Sequence, residues 1–219
     1  MMSTASMAAA TMPARRSLFD DLPEISARFL TGALFLVMAW RLGDDFLRTW
    51  RPTVLLMLVG EAAVVVLTCF RRYAVAVDRR PLVRAVTTIS ILFPMLVWPS
   101  SSSGLIREWF AATMAGFGLL MALGGKLSIG YSFGLLPANR GVKDTGMYRL
   151  VRHPIYLGYL LTHLSFLLAH PTAWNFGLLM AGDIALIVRA FYEEQMLLQD
   201  PAYVRYCQQV RWRLLPGLC

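Results

Sequence analysis

The chain has 219 residues, of which 57% are hydrophobic and only 16% are charged. Soluble domains are typically about 45–50% apolar and about 25% charged, so this composition argues against a soluble enzyme and excludes a disordered or collagen-like chain. A net charge of +8 could indicate nucleic-acid binding, but long apolar runs separate the basic residues. We therefore predict a multi-pass integral membrane protein without a nucleic-acid partner, whose positive charge sets its topology and contacts membrane lipids.

The predicted elements begin after an N-terminal stretch rich in Ala, Ser, Thr and Met, and we expect residues 1–27 to form a flexible tail. Residues 28–219 are expected to form a single transmembrane domain. Six apolar segments follow one another within it, at residues 29–42, 53–70, 82–98, 109–129, 155–169 and 172–188. A spanning helix needs about 20 mostly apolar residues, and the first and fifth segments are short. The predicted fold is all-α, a membrane bundle of five to six transmembrane helices.

Lysine and arginine residues are distributed unevenly over the predicted loops. With the N-terminus in the cytoplasm, six spans place 17 basic residues on the cytoplasmic side and 4 on the other side. This bias follows the positive-inside rule and places residues 128–153 and the C-terminal tail in the cytoplasm. If the short first segment does not span, five helices remain and the N-terminus lies outside. Only His170 and Pro171 separate the last two segments, which predicts a C-terminal helical hairpin.

A polar motif, Arg152-His153-Pro154-x-Tyr156-x-Gly158, precedes and opens the fifth segment. Pro154 suits the first turn of a helix, because its missing N–H needs no partner there. The free amides and the dipole of that helix would favour an anion beside His153. Gly158, one turn further, would let a ligand or another helix approach the backbone. The simpler interpretation is a basic cap where the chain enters the membrane.

A second polar cluster closes the sixth segment, where Arg189 and Glu193 share one helix face. The simpler interpretation is an ordinary surface ion pair. However, the predicted hairpin brings the end of the sixth helix back to the start of the fifth. The pair can therefore converge with His153 and Tyr156 at the membrane–cytoplasm boundary, which predicts a small-molecule site there.

These two motifs, followed by Tyr203-x-x-Tyr206 and a basic tail to Pro216, resemble the isoprenylcysteine carboxyl methyltransferase and phospholipid methyltransferase family. The resemblance covers about residues 141–216 and implies an integral membrane enzyme that uses S-adenosyl-L-methionine and no metal. The sequence departs from the family pattern at Met147, where the family often has Pro, and in the shortened link 199–202.

The resemblance also implies roles for individual residues. The cofactor-binding residues would be Val142, Lys143, Tyr148, His153, Pro154, Tyr156 and Glu193. Arg189 would lie near the methyl acceptor, so that Arg189 and Glu193 are the expected catalytic residues of an active site that faces the cytoplasm. The acceptor would be a lipophilic molecule that enters from the bilayer. A prenylcysteine carboxylate, a phospholipid amine, an isoprenoid acid and a small thiol all fit this description.

Two other functions are compatible with the apolar composition. A non-enzymatic membrane protein could use the same hairpin to bind a lipid or a partner. A small transporter could use Glu61 and Asp183, which fall inside the second and sixth segments, where ionisable groups are costly and often functional. His163 and His170 lie seven residues apart and could share a helix face, although two histidines alone are more typical of structural positions than of a haem or metal site.

Overall fold

The computed structural model describes residues 18–70, 80–100, 103–129, 142 and 144–215. All regular structure within these ranges is helical, with no strand, and this confirms the all-α prediction. The seven helices are α1 Leu18–Thr49, α2 Pro52–Phe70, α3 Pro81–Leu92, α4 Glu108–Ile129, α5 Pro154–Ala169, α6 Ala173–Leu197 and α7 Pro201–Gln209. Short 3₁₀ turns at Pro94–Leu96 and Gly146–Arg149 follow α3 and precede α5.

The first helix begins before the predicted tail ends. Apolar residues recur every three to four positions from Leu18 to Phe29, which is the spacing of one helix face, and α1 accordingly starts at Leu18. Residues 18–27, which were expected to belong to a flexible tail, are therefore helical. The rest of that predicted tail, residues 1–17, lies outside the described residues.

Two described helices, α4 and α6, are long and apolar enough to cross a membrane. Three shorter apolar helical stretches accompany them, at Pro52–Ala63, Pro81–Leu96 and Pro154–Ala169. The outward faces of α4 and α6 are also apolar, since eight large hydrophobic side chains on them are more than half exposed, including Phe117, Leu120, Phe176 and Ile184. Apolar surface of this kind is expected where a helix faces lipid. A total of five or six spans stays a prediction.

The helices α4 and α5 form the tightest contact of the bundle, and glycines make it possible. A Cβ atom added at Gly158 would lie 2.5 Å from the carbonyl oxygen of Gly118 and 2.6 Å from the amide nitrogen of Ala122. The two backbones therefore touch, as they do where small residues line a membrane helix interface. Of the two roles predicted for Gly158, the structure shows the approach of another helix.

The helices α5 and α6 form the predicted hairpin. The Thr172 hydroxyl accepts a hydrogen bond from the Asn175 amide and so caps the start of α6. The buried Asn175 side chain donates to the Trp98 and His170 carbonyls and accepts from the Trp98 amide. These bonds attach the hairpin turn to the segment after α3. The start of α5 and the end of α6 consequently lie together at the opposite end of the bundle.

Candidate active site

The start of α5 is attached to the C-terminal segment of the chain. The Arg152 amide donates to the Trp212 carbonyl and the His153 amide donates to the Arg213 carbonyl, both at 2.9 Å. His153 occupies the position before the helix, and its side chain makes no capping hydrogen bond. The first turn of α5, which opens with Pro154, therefore presents backbone amides without a side-chain cap.

Glu194, near the end of α6, is the centre of an ion network. Its carboxylate is buried, with 2% of the residue exposed. One oxygen lies 3.4 Å from Nη1 of Arg152 and 3.3 Å from Nε2 of His153, and the other accepts a 2.7 Å bond from Nε of Arg213. Charge-assisted bonds of this kind offset the cost of burying a carboxylate. The network fastens α6 to both the start of α5 and the C-terminal segment.

Helix α7 completes this end of the molecule. Arg152 also donates to the carbonyl of Val210 at 2.7 Å and to that of Cys207 at 3.1 Å. The Tyr206 hydroxyl donates to the Tyr148 carbonyl at 2.7 Å. These bonds hold α7 against the 3₁₀ turn that precedes α5.

Glu193 lies on a different face of α6 from its neighbour, because consecutive helical residues point about 100° apart. Its carboxylate accepts a 2.6 Å hydrogen bond from the Tyr156 hydroxyl. The Arg189 guanidinium, one turn earlier and buried, lies 5.4 Å from the centre of the Tyr156 ring. The His153 ring stacks parallel to the same ring with centroids 5.3 Å apart. The structure thus brings together the four side chains that the motifs predicted to converge.

Two other predicted cofactor residues, Tyr148 and Val142, pack against the cluster of Tyr203 and Tyr206. Burial, together with the nearby Glu193 carboxylate, raises the pKa of the Tyr148 phenol well above its usual value. Tyr148 therefore remains a hydrogen-bond donor at neutral pH. Lys143 lies outside the described residues.

A cleft runs from this group into the bundle. Tyr156 and Arg189 line one part of it, and Glu61 and His163 line another. The two ring nitrogens of His163 face carboxylates, with Nδ1 2.5 Å from Asp183 and Nε2 3.7 Å from Glu61. Glu61 and Asp183, two isolated ionisable residues in the sequence, therefore meet at one histidine.

His170 has a separate environment near the hairpin turn. Its Nδ1 atom lies 3.2 Å from the amide nitrogen of Ser100, and burial lowers the pKa of the imidazole. His163 and His170 thus do not share a site. Among the described residues, no group of three or more histidine, cysteine or acidic side chains is arranged to hold a metal ion.

Sequence reasoning missed the role of Glu194 and its partner Arg213. The sequence did contain a signal for a separate role of Glu194. Adjacent glutamates on a helix point in different directions and cannot contact one ligand equally. The buried Lys126 on α4, whose ammonium lies 5.0 Å from the centre of the Tyr159 ring, was not predicted either.

The apolar outer helices and the polar cluster at their end are those of a helical membrane protein with a candidate site at one end of the bundle. Within this class, residues 107–200 match the model of the phospholipid methyltransferase family. The matched region holds α4 and the entire α5–α6 hairpin, including both motifs. The match confirms the family resemblance that the two polar motifs carry. No curated protein and no solved structure gives a significant match to the chain.

Proposed function

We propose that this protein transfers a methyl group from S-adenosyl-L-methionine to a lipophilic acceptor, such as an isoprenylcysteine carboxylate or a lipid. One observation carries the proposal, namely the convergence of four side chains at the joined ends of α5 and α6, inside the family-matched region: His153, Tyr156, Arg189 and Glu193. The cofactor binds at this end from the cytoplasm, and the acceptor reaches it from the bilayer.

The side chains at this end suit a zwitterionic sulfonium cofactor. S-Adenosyl-L-methionine supplies an activated methyl group, so the protein has to provide orientation and a dry pocket. The Glu193 carboxylate is suited to an ammonium group or ribose hydroxyls. The uncapped first turn of α5, at Pro154, is suited to a carboxylate.

Three residues would extend the cofactor pocket toward the C-terminal segment. Tyr148 is near enough to Glu193 for that carboxylate to contribute to the raised pKa of its phenol. Val142 belongs to the cluster around Tyr203, which packs behind Tyr148. Lys143, the residue after Val142, is included on the family resemblance alone.

Arg189 is the proposed contact to the acceptor. It lines the cleft, it is buried, and its guanidinium lies beside the ring of Tyr156. A guanidinium forms two parallel hydrogen bonds with a carboxylate or phosphate, which makes it a suitable group for an anionic headgroup. The acceptor headgroup would then lie between Arg189 and the cofactor, with its apolar part in the cleft.

Membranes that contain the full chain provide the test. They are incubated with S-adenosyl-L-methionine labelled in the methyl group, and extracted lipids are analysed by mass spectrometry. A labelled lipophilic product is expected from the wild type and not from Glu193→Ala. Asp44→Asn, which alters an exposed pair with Arg48 on α1, is the control that keeps activity. Cofactor binding without any labelled product would favour a non-enzymatic protein, whereas ion or solute flux that depends on Glu61 would favour a small transporter.

A further inference from the structure

The inner part of the cleft holds polar side chains that the proposed methyl transfer does not use. Glu61 on α2 and His163 on α5 line it, and Asp183 on α6 contacts His163 from outside. Each of these residues lies in the middle of its helix, far from the helix ends. Ionisable groups at this depth of a membrane protein are costly and are usually associated with function.

Tyr159 lies between this inner part and the cofactor end. Its ring lines the cleft, and its phenolic oxygen is buried without a hydrogen-bond partner among the described residues. Lys126, a residue that is 4% exposed, places its ammonium group over the same ring. This ammonium also lacks a hydrogen-bond partner within the described part of the chain. Buried polar groups are almost always hydrogen bonded. The Tyr159 phenol, which has no hydrogen-bond partner among the described residues, is therefore available on the cleft wall to a ligand group.

The charges around the cleft indicate a neutral ligand group. Around the cleft, three acidic side chains, Glu61, Asp183 and Glu193, are matched in number by three basic ones, His163, Lys126 and Arg189, so neither sign is in large excess. A ligand group there can donate to the Glu61 carboxylate and accept from the Tyr159 hydroxyl. A hydroxyl group does both, whereas an ether or a carbonyl oxygen only accepts.

The geometry points to a hydroxyl-binding subsite at Glu61, Tyr159 and His163, which selects a lipophilic acceptor with a hydroxyl group remote from its methylated atom. Tyr159 and His163 lie three and seven residues beyond Tyr156 on α5, which corresponds to about 5 and 10 Å along the helix. The acceptor class is thus an amphiphile with a headgroup at Arg189 and a hydroxyl about 5–10 Å deeper. The link to the acceptor rests on the proposed function, whereas hydroxyl binding by the cleft does not.

The test measures probe binding to the purified full chain in detergent, without S-adenosyl-L-methionine. The probes are 1-decanol and decyl methyl ether, which have the same decyl chain, with a methyl group of the ether in place of the hydroxyl hydrogen. We expect 1-decanol to raise the unfolding temperature in a saturable manner and the ether to have a smaller effect. Because no cofactor is present, failure of this test and failure of methyl transfer are separate results.

Two variants test whether 1-decanol binds at the proposed subsite. Tyr159→Phe removes only the unpartnered hydroxyl and should raise the half-saturating concentration of 1-decanol by about 2- to 10-fold, while Glu61→Gln should raise it by about 10-fold or more. Tyr192→Phe removes a hydroxyl outside the cleft and should leave that concentration unchanged. Equal responses of wild type and Tyr159→Phe would overturn the subsite, even if Glu61→Gln does not fold. Equal binding of the two probes would overturn it as well.

Discussion

The hydroxyl of Tyr156 donates a 2.6 Å hydrogen bond to the carboxylate of Glu193 and thereby joins the first turn of α5 to the end of α6. The two residues are 37 positions apart in the chain, and the hairpin makes them neighbours. The bond engages one oxygen of the carboxylate and so orients the group, and within the described part of the chain the other oxygen has no hydrogen-bond partner and can face a ligand. Several expectations about cofactor and acceptor depend on this arrangement.

Replacing Glu193 by Ala should weaken binding of S-adenosyl-L-methionine by about 10- to 150-fold. The change removes a charge-assisted contact, typically about 1.5–3 kcal/mol, and about 1.4 kcal/mol corresponds to a factor of ten. Tyr156→Phe, which leaves the carboxylate but removes the bond that orients it, should have a smaller effect in the same direction. Calorimetry on the purified protein measures both. Wild-type affinity in both variants and in His153→Ala would show that the cofactor binds elsewhere.

Arg189→Lys should depress methyl transfer and leave cofactor affinity nearly unchanged. A lysine keeps the positive charge but lacks the planar fork that matches a carboxylate or phosphate. Turnover and cofactor affinity of the variant are compared once an acceptor is identified. If Arg189 only places a positive charge at the membrane–water interface, lysine should support near-normal turnover. Both side chains can extend toward that interface. That result would leave Arg189 with a structural role.

Glu194→Gln should destabilise the folded protein by about 3–5 kcal/mol, because it leaves buried basic groups without their shared carboxylate. Arg213→Gln is the comparison variant, for which a smaller loss in the free energy of unfolding is expected. The Arg213 side chain is 39% exposed, and pairs near the surface contribute little, so its loss should cost clearly less. Chemical unfolding in detergent, followed by the helical signal, measures the free energy of unfolding of each variant. Similar losses for the two substitutions would contradict a central role for the Glu194 carboxylate.

Gly158→Ala should destabilise the bundle by about 1–3 kcal/mol, the usual cost of forcing extra volume into a packed interface. The added Cβ would lie 2.5 Å from the Gly118 carbonyl oxygen on α4, where no flexible side chain can move aside. Gly177→Ala on α6 is the matched control, because a Cβ there meets nothing within 4 Å. Alanine favours a helix over glycine by about 1 kcal/mol, so this control should be neutral or stabilising. A stable Gly158→Ala protein would show that α4 and α5 separate easily.

Local features of the sequence determined the helical architecture and the general location of the site. Apolar segments of helical length, interrupted at His170 and Pro171, predicted the α5–α6 hairpin, and the hairpin implied that His153 and Tyr156 approach Arg189 and Glu193. These predictions succeed because they depend only on the length of the apolar segments and of the connection between them. Both lengths can be read from a short stretch of sequence. The family match over residues 107–200 contains both polar motifs, whereas Tyr203-x-x-Tyr206 and the basic tail lie beyond it.

The tertiary structure alone decided which partners the polar groups have. The sequence presents Glu193 and Glu194 as a pair, but their different directions on α6 send one to Tyr156 and the other to Arg152, His153 and Arg213. Likewise, Glu61, His163 and Asp183 come from three helices, and their meeting depends on how those helices pack. Side-chain direction on a helix and the relative rotation of packed helices are properties of the assembled bundle, so no local pattern could have specified these contacts.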